Sequence, residues 1–470
     1  MDNRIQALKR ARDLVESGEL DEGVRIAEVY LKVDPNDIVA LCVLTSALIR
    51  AEKLPVAYHL AKRLVELAPK HASSYINLGM VANELWLNSE AERAYHRGLR
   101  VSADERTQKI LLINLCALMV DTGRFKEAEK YARQVLEIDP DNVKAKSNLG
   151  FAQLANREWE EGWKNYRYCL GSSWRQVNRY NDEPEWDGSP GKTVVLYGEQ
   201  GLGDEISAAS LVPDAQKVCK KVILDCDRRL ESLFKRSFPD VAVYGTRGQK
   251  SLNWAPEDQE IDASLAILQA GEYFRTKDED FPGTPYLVAD PDRVLMWKSL
   301  WESKRKPVIG VAWRGGILRT GARYRQWSLD QLLPIFESID AHWVSLQYKP
   351  AGDEIDAFKQ SHDVDIKEYP HAVLTDDYDD TASLVASLDM VVCMHTAVGH
   401  LAGALGVPAR VFVPKNSQWR YGSDDTYLWY DCVKLIRQKK QGEWKDEINS
   451  VAEELSAHFG NVQGPTAAIA

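Results

Sequence analysis

The sequence predicts an α-helical repeat solenoid followed by two tandem α/β domains. Three observations carry this expectation. Helical segments recur at a spacing near 34 residues through the first third of the chain, a stretch rich in Pro, Gly, Asp and Asn breaks the pattern after about 175, and from Thr193 short apolar runs alternate with amphipathic segments. A chain of 470 residues exceeds what one compact core accommodates, so more than one domain is required in any case. With 44% hydrophobic residues and 14 Trp, the composition excludes a wholly disordered chain.

The repeats come first. With Pro35 at the closing position of one unit, units begin near residues 4, 38, 72, 109 and 143, at spacings of 34, 34, 37 and 34. Pro35, Pro69 and Pro140 close three of them. Leu78-Gly79 and Leu149-Gly150 stand where paired helices need a small residue to approach, and Ala57, Ala91 and Ala128 are their counterparts in the facing helices. The pattern resembles the tetratricopeptide repeat, whose helix pairs bury their apolar faces only by stacking and so form a solenoid with a concave inner surface. Asn77, Asn114 and Asn148 share the sixth position of the last three units, on the inner face of the first helix. A row of side-chain amides offers donors and acceptors to an extended peptide backbone. The arrangement resembles the repeat arm of O-linked N-acetylglucosamine transferases. The alternative is that Asn packs locally in this repeat, and Lys9 and Val43 at the same position of the first two units keep any ladder short.

Charge and cysteine content exclude several functions. A net charge of -11 argues against a dominant nucleic-acid grip, which depends on clustered cations. Seven Cys with no C-x-x-C pair fit neither a zinc ribbon nor a complete disulfide framework. The N-terminal segment lacks the apolar core of a secretion signal, and no later run has the apolar length to span a bilayer, so a cytoplasmic protein without a membrane span is expected.

Beyond the Pro/Gly-rich stretch, the runs TVVLYG, KVILDC and VAVYG suggest one parallel sheet. PVIGVAW, HWVSLQ, DMVVCM, ARVFV and CVKLI suggest a second, with helices such as DQLLPIFESI and TAVGHLAGALG between them. Two Rossmann-like domains of this kind place a ligand beyond the carboxyl ends of their strands. After the first strand, Gly198 to Ile206 invites comparison with the dinucleotide fingerprint, and the comparison fails. Ile206 replaces the third glycine, and Asp204 puts negative charge where a pyrophosphate would meet the helix. Asp204 reads either as a base facing the cleft or as a cap for the following helix.

Gly203-Asp204 followed by Val212-Pro213 resembles the start of the bacterial heptosyltransferase group, and the string from His395 to Gly406 is similar to that group's D-T-A-V-A-H-L-A-G-A-L-G segment. The resemblance covers roughly 192–440 and implies a GT-B fold, with the second motif beside the donor diphosphate. Independently of the family, a strand ending at Met394 and a helix beginning near Thr396 aim backbone amides and a positive helix end at the cleft. An ordinary strand-to-helix junction capped by Thr396 is the other reading. His395 departs from the family by replacing Asp.

The expected function is therefore a glycosyltransferase, inverting and metal-independent, moving a sugar from a nucleotide-activated donor to a Ser or Thr of a protein held by the arm. Repeat-armed relatives modify flagellin, which makes flagellin an acceptor candidate. The rival is a non-catalytic scaffold with a degenerate transferase domain. Asp204 is the candidate base. Trp313, Arg314, Arg323, Arg325, Gln347, Asp380, Thr381, His395, Thr396, Ala397, Val398 and His400 are the donor-side candidates, and Asn77, Asn114, Asn148 and Gln200 the acceptor-side ones. Gln418 to Tyr421 resembles a D-W-R-W run of relatives that closes over the donor. No cofactor or metal site is expected beyond the nucleotide-sugar co-substrate, nucleic acid is not an expected partner, and self-association through the repeats is open. The expected organisation is repeats over 1–175, a linker over 176–191, an acceptor-side Rossmann-like domain over 192–290, a linker over 291–306 and a nucleotide-sugar-side domain over 307–470.

Overall fold

The computed structural model describes residues 2–172, 175–178, 180, 182–249, 252, 254, 260–301, 306–316, 325–415 and 417–460. The chain divides into two compact units, with the division between Asn156 and Arg157.

The first unit is a tetratricopeptide-type helical arm. Its pairs are α1 (Asp2–Ser17) with α2 (Leu20–Val33), α3 (Ile38–Arg50) with α4 (Leu54–Leu67), α5 (Ala72–Glu84) with α6 (Asn88–Val101), and α7 (Glu105–Asp121) with α8 (Phe125–Ile138), followed by α9 (Val143–Ala155). Three of the expected unit starts coincide with helix starts, at 38, 72 and 143. The fourth differs: α7 begins at Glu105, not near 109, because Asp104 caps it by accepting from the Thr107 amide at 2.8 Å. The longer spacing is thus absorbed as an extra helical turn. Ala57, Ala91 and Ala128 are fully buried, and a Cβ added to Gly79 would collide with the Tyr95 ring. Small residues are needed here because two helices close on each other. Leu64, Leu111, Leu115 and Val135 are also fully buried between pairs, each worth about 1.5–3 kcal/mol.

The second unit opens with α10 (Trp159–Tyr166), which the sequence places in the repeats. Trp163 explains the earlier division. Its indole donates to the Arg275 carbonyl at 2.8 Å, and a Cβ on Gly271 would strike its ring. The helix therefore belongs to the core that follows it.

Strands β1 (Thr193–Tyr197), β2 (Lys221–Asp225), β3 (Ala242–Tyr244) and β4 (Ala263–Ala266) form a parallel sheet in the order β3-β2-β1-β4. Helices α11 (Leu202–Ala208), α12 (Val212–Val218), α13 (Glu231–Ser237) and α14 (Gly271–Phe274) accompany it. Next comes α15 (Pro291–Trp301), so most of the expected linker over 291–306 is helical. Asp290 starts it by accepting from the amides of Asp292 and Arg293 at 3.0 and 3.1 Å, and Trp297 packs on Tyr369 and His371.

The second sheet contains β5 (Val308–Ala312), β6 (His342–Ser345), β7 (Ile366–Lys367), β8 (Met390–Met394), β9 (Ala409–Val413) and β10 (Val433–Arg437), all parallel, in the order β10-β9-β8-β5-β6-β7. Its helices are α16 (Leu333–Ser338), α17 (Gly352–His362), α18 (Pro370–Val373), α19 (Tyr378–Val385), α20 (Ala397–Leu405) and α21 (Lys445–Phe459). Strand order reverses between β5 and β8, which makes their carboxyl ends the place where loops diverge and a ligand fits. Both strands are buried throughout, and Ile309, Val311, Val392 and Phe412 share a core with Trp327, Trp343 and Val451.

Candidate functional site

A cavity of about 710 Å³ lies at the carboxyl ends of the strands, of a size that suits a small-molecule ligand. The first-sheet lobe supplies Gly201 to Asp204 and Arg229. The second supplies Arg314 and Gly316 after β5, Tyr348 and Pro350 after β6, and Thr396, Ala397, Val398 and His400 at the start of α20.

Gly203 sets how closely the lobes meet. A Cβ there would stand 3.1 Å from Ala397 Cα and 3.2 Å from His400 Cδ2, so any larger side chain would press α11 against α20.

Asp204 lies in the lining with both carboxylate oxygens engaged. Oδ2 accepts from the Gly201 amide at 2.9 Å, and Oδ1 forms an ion pair with Arg420. Arg420 is 5% exposed and stacks on Trp419. Gln200 stands beside this pair, its amide nitrogen donating to the Tyr166 hydroxyl at 2.6 Å and its oxygen accepting from Arg420 at 3.4 Å.

The opposite wall lacks such compensation. Arg325 lines the cavity, and no carboxylate pairs with it among the described residues. Residues 317–324 carry no Asp or Glu. Burial pulls its guanidinium below the usual arginine range, its Nε is buried with no partner among the described residues, and Nη2 donates to the His395 carbonyl. Beside it, Thr396 is the residue before α20, makes no cap with its side chain, and has a buried Oγ1 with no partner among the described residues. The first amides of α20 have no intrahelical acceptors and point to the same end. A cation, a hydroxyl and a helix N-terminus thus converge on one wall, a donor set that suits an anion. A Cβ on Gly315 would collide with Thr396, so glycine lets this wall close up.

The other candidates fall into two groups. Arg314 and His400 line the cavity with their partners already chosen: Arg314 pairs with Glu354 at 3.0 Å, and His400 meets the hydroxyls of Tyr421 at 3.1 Å and Tyr430 at 3.3 Å. Burial lowers the His400 pKa to about 4, so the ring is neutral near pH 7. The structure does not bring Trp313, Gln347, Asp380, Thr381 or His395 to the lining. Trp313 is fully buried with its indole on Glu354. The Gln347 carbonyl oxygen, in the orientation hydrogen bonding requires, accepts from the amides of Trp313 and Arg314 at 2.6 and 2.8 Å. Asp380 pairs with Arg293, and the Thr381 hydroxyl donates to the Ala372 carbonyl at 2.6 Å. His395 is 2% exposed, edge-on to Tyr421, and held well below the usual histidine pKa by burial and by Arg325. Arg323 lies outside the described residues.

The structure adds Arg229 and Tyr348, which sequence reasoning did not single out. Asp227 holds Arg229 toward the cavity through two contacts of 2.9 Å. The run Asp227-Arg228-Arg229 begins two residues past the end of β2, and a position just past a strand's carboxyl end was the available signal.

The arm holds a separate cavity, also about 710 Å³, lined by the first helix of each pair and by α9. Asn77 and Asn114 contribute to it and Asn148 does not. The Asn77 amide donates to the Ser73 carbonyl at 3.1 Å, and the Asn114 nitrogen is buried with no partner among the described residues.

No family model matches the chain. Protein FlbA of Caulobacter vibrioides is 30% identical over 311 residues, which are 63% of this chain and 52% of FlbA. Protein O-mannosyl-transferase Tmtc3 of Drosophila melanogaster is 30% identical over 109 residues, 23% of this chain and 11% of that protein. The chain thus spans about half of FlbA and a small part of Tmtc3. Among solved structures, the tetratricopeptide-repeat protein TTC0263 of Thermus thermophilus covers 36% of this chain and 91% of its own, at 20% identity and a TM-score of 0.32. YrrB, described as a tetratricopeptide-repeat protein with an unusual peptide-binding site, covers 34% and 82%, at 16% identity and a TM-score of 0.27. Among the described residues, no helix is long and apolar enough to cross a membrane.

Proposed function

We propose that the chain is a glycosyltransferase of GT-B type that moves a sugar from a nucleotide-activated donor to a Ser or Thr hydroxyl of a protein, with the repeat arm holding that protein. The observation that carries the proposal is Arg325, a cation without a carboxylate partner among the described residues, in a cavity wall that it shares with Thr396 and the start of α20. A leaving diphosphate supplies the negative charge this wall lacks. Stabilising that charge as the glycosidic C–O bond breaks is how a guanidinium and helix amides lower the barrier. The name of Tmtc3, an O-mannosyl-transferase, is in keeping with glycosyl transfer to protein. Flagellin is the acceptor candidate implied by the resemblance to repeat-armed flagellin transferases.

In this proposal Asp204 accepts the proton of the acceptor hydroxyl. The acceptor oxygen bonds to the anomeric carbon from the face opposite the departing diphosphate, and the electron pair of the broken bond leaves with the phosphate oxygen toward Arg325. This displacement inverts the anomeric centre. For Asp204 to act, its oxygen must exchange the Arg420 contact for the acceptor hydroxyl, so acceptor binding and the rearrangement of Arg420 go together.

A second reading has its own observation. Because both Asp204 oxygens are occupied, by Gly201 and Arg420, the carboxylate is sufficiently explained as a cap and an ion-pair partner. This favours a ligand-binding scaffold without turnover. Incubating the purified chain with UDP-, GDP- and CMP-sugars separates the two. Nucleotide release and sugar incorporation into a protein acceptor support the transferase, whereas nucleotide binding without release over long incubation supports the scaffold.

A further inference from the structure

We propose that the cavity of the repeat arm is a binding site for an extended acidic segment of a partner protein. This names the chemistry of the chain that the arm would present and so rests on the proposed acceptor role of the arm. Four cations line the cavity, Arg12 on α1, Arg50 at the end of α3, Arg106 on α7 and Lys144 on α9. All four are exposed, and none has an ion pair among the described residues, unlike Arg4, Arg124 and Arg133 of the same unit. Two carboxylates share the lining, Glu16 and Asp104, so four cations stand there against two anions. The excess of positive charge is set in a chain whose net charge is -11, so it is local to this face.

The floor points the same way. The Asn114 amide nitrogen is buried and donates to nothing among the described residues, while Ser46 and Ser73 lie in the same lining. Donors below and cations at the rim suit a ligand made of acceptors, namely backbone carbonyls flanked by carboxylates. The cations come from four different helices, so they address charges spread along a chain rather than one compact anion. A nucleic acid shares the charge, but the lining contains no aromatic ring on which bases stack.

The test uses the full chain and two fluorescently labelled synthetic peptides of equal length, one with Asp and Glu alternating with Ser and Gly, the other with Asn and Gln in their place. Fluorescence anisotropy should show the acidic peptide binding roughly tenfold or more tighter than the neutral one. The preference should fade as NaCl rises from about 0.05 to about 0.5 M, because screening shortens to a few ångströms. Arg50→Glu with Arg106→Glu should abolish the preference. Lys126→Glu with Lys130→Glu, on exposed positions of α8 outside the cavity, should keep it. Thermal unfolding checks that each variant folds, and Arg50→Gln with Arg106→Gln replaces the charge reversal if that one does not. Equal binding of the two peptides, equal loss in both variant pairs, or tighter binding of a single-stranded oligonucleotide would overturn the proposal. Nucleotide release without acceptor is read in parallel. Absence of a peptide preference with release intact sinks the acidic-segment proposal alone, and the converse sinks the transferase reading alone.

Discussion

Replacing Arg325 by Met separates a ligand-binding cation from a structural one. In the free protein the guanidinium makes one bond within the described residues, to the His395 carbonyl, and pairs with no carboxylate there. Removing it loses about 1 kcal/mol of hydrogen bonding and lifts the cost of burying an uncompensated charge, so the two effects oppose each other. A net loss of about 1 kcal/mol lowers the unfolding temperature of a unit this size by about 1.5 °C, which sets the largest drop expected without nucleotide. Binding should respond far more. A hydrogen bond to a charged phosphate contributes roughly 1.5–3 kcal/mol, which corresponds to a loss of roughly ten- to 150-fold in nucleotide affinity. Arg325→Lys, which keeps the charge without the planar fork, should fall between the two. Calorimetric titration with nucleoside diphosphates and thermal unfolding of the same preparations provide both numbers. Unchanged affinity together with a large drop in unfolding temperature would show that Arg325 holds the turn between β8 and α20 and meets no ligand.

Three further outcomes follow from particular contacts. Asp204→Asn should abolish transfer and retain donor binding, but it also leaves Arg420 buried without its counter-charge, at a cost of roughly 3–5 kcal/mol. Adding Arg420→Met should recover much of the stability and none of the transfer in a paired melting and turnover assay, and recovered transfer would remove Asp204 from the base role. Asn114→Ala should reduce modification of a protein acceptor roughly tenfold at most and leave donor hydrolysis intact, because its amide nitrogen has no partner among the described residues whereas that of Asn77 is spent on Ser73. Asn77→Ala should change acceptor modification less, and an effect equal to that of Asn114→Ala would refute the distinction. For His400, the folded pKa of about 4 lies below the ordinary 6.5, so its contribution is complete above pH 6.5 and is lost as pH falls toward 4, through protons that the unfolded chain binds and the folded one excludes. His400→Gln should flatten this part of the unfolding-temperature profile between pH 6.5 and 4, and an unaltered profile would assign the acid sensitivity elsewhere.

The parts of the fold legible in the sequence are those with strong periodicity. The 34-residue spacing places the starts of α3 and α5, and the β-branched runs mark β1, β2, β5, β8 and β9 because strands buried on both faces read as unbroken apolar stretches. β4 escapes such a reading, since Ala263–Ala266 is short and contains Ala and Ser, and its strand character comes from pairing with β1. β7, with two residues, escapes for the same reason. α10 has a repeat-like pattern, but Trp163 finds its partners at Gly271 and Arg275, which no local rule reveals. In the site, the cation-rich loop and the helix start after β8 are visible as patterns, so Arg325 and Thr396 could be named in advance. Partner choice is not visible. Asp380 and Arg293 are 87 positions apart, and the pairing of Asp204 with Arg420 joins two lobes through residues far apart in the chain, so only the folded chain shows that these charges are already matched.

The measurement that bears most directly on the account is donor turnover by the purified full chain. UDP-, GDP- and CMP-sugars would each be offered without and with a protein acceptor, while binding is followed by thermal unfolding and chemistry by nucleotide release. One nucleotide class should raise the unfolding temperature, since saturation at about 100 times Kd adds about 2.7 kcal/mol of apparent stability, and its sugar donor should be cleaved faster when acceptor is present. No stabilisation by any nucleotide or nucleotide sugar, with no release above the buffer rate, would contradict it.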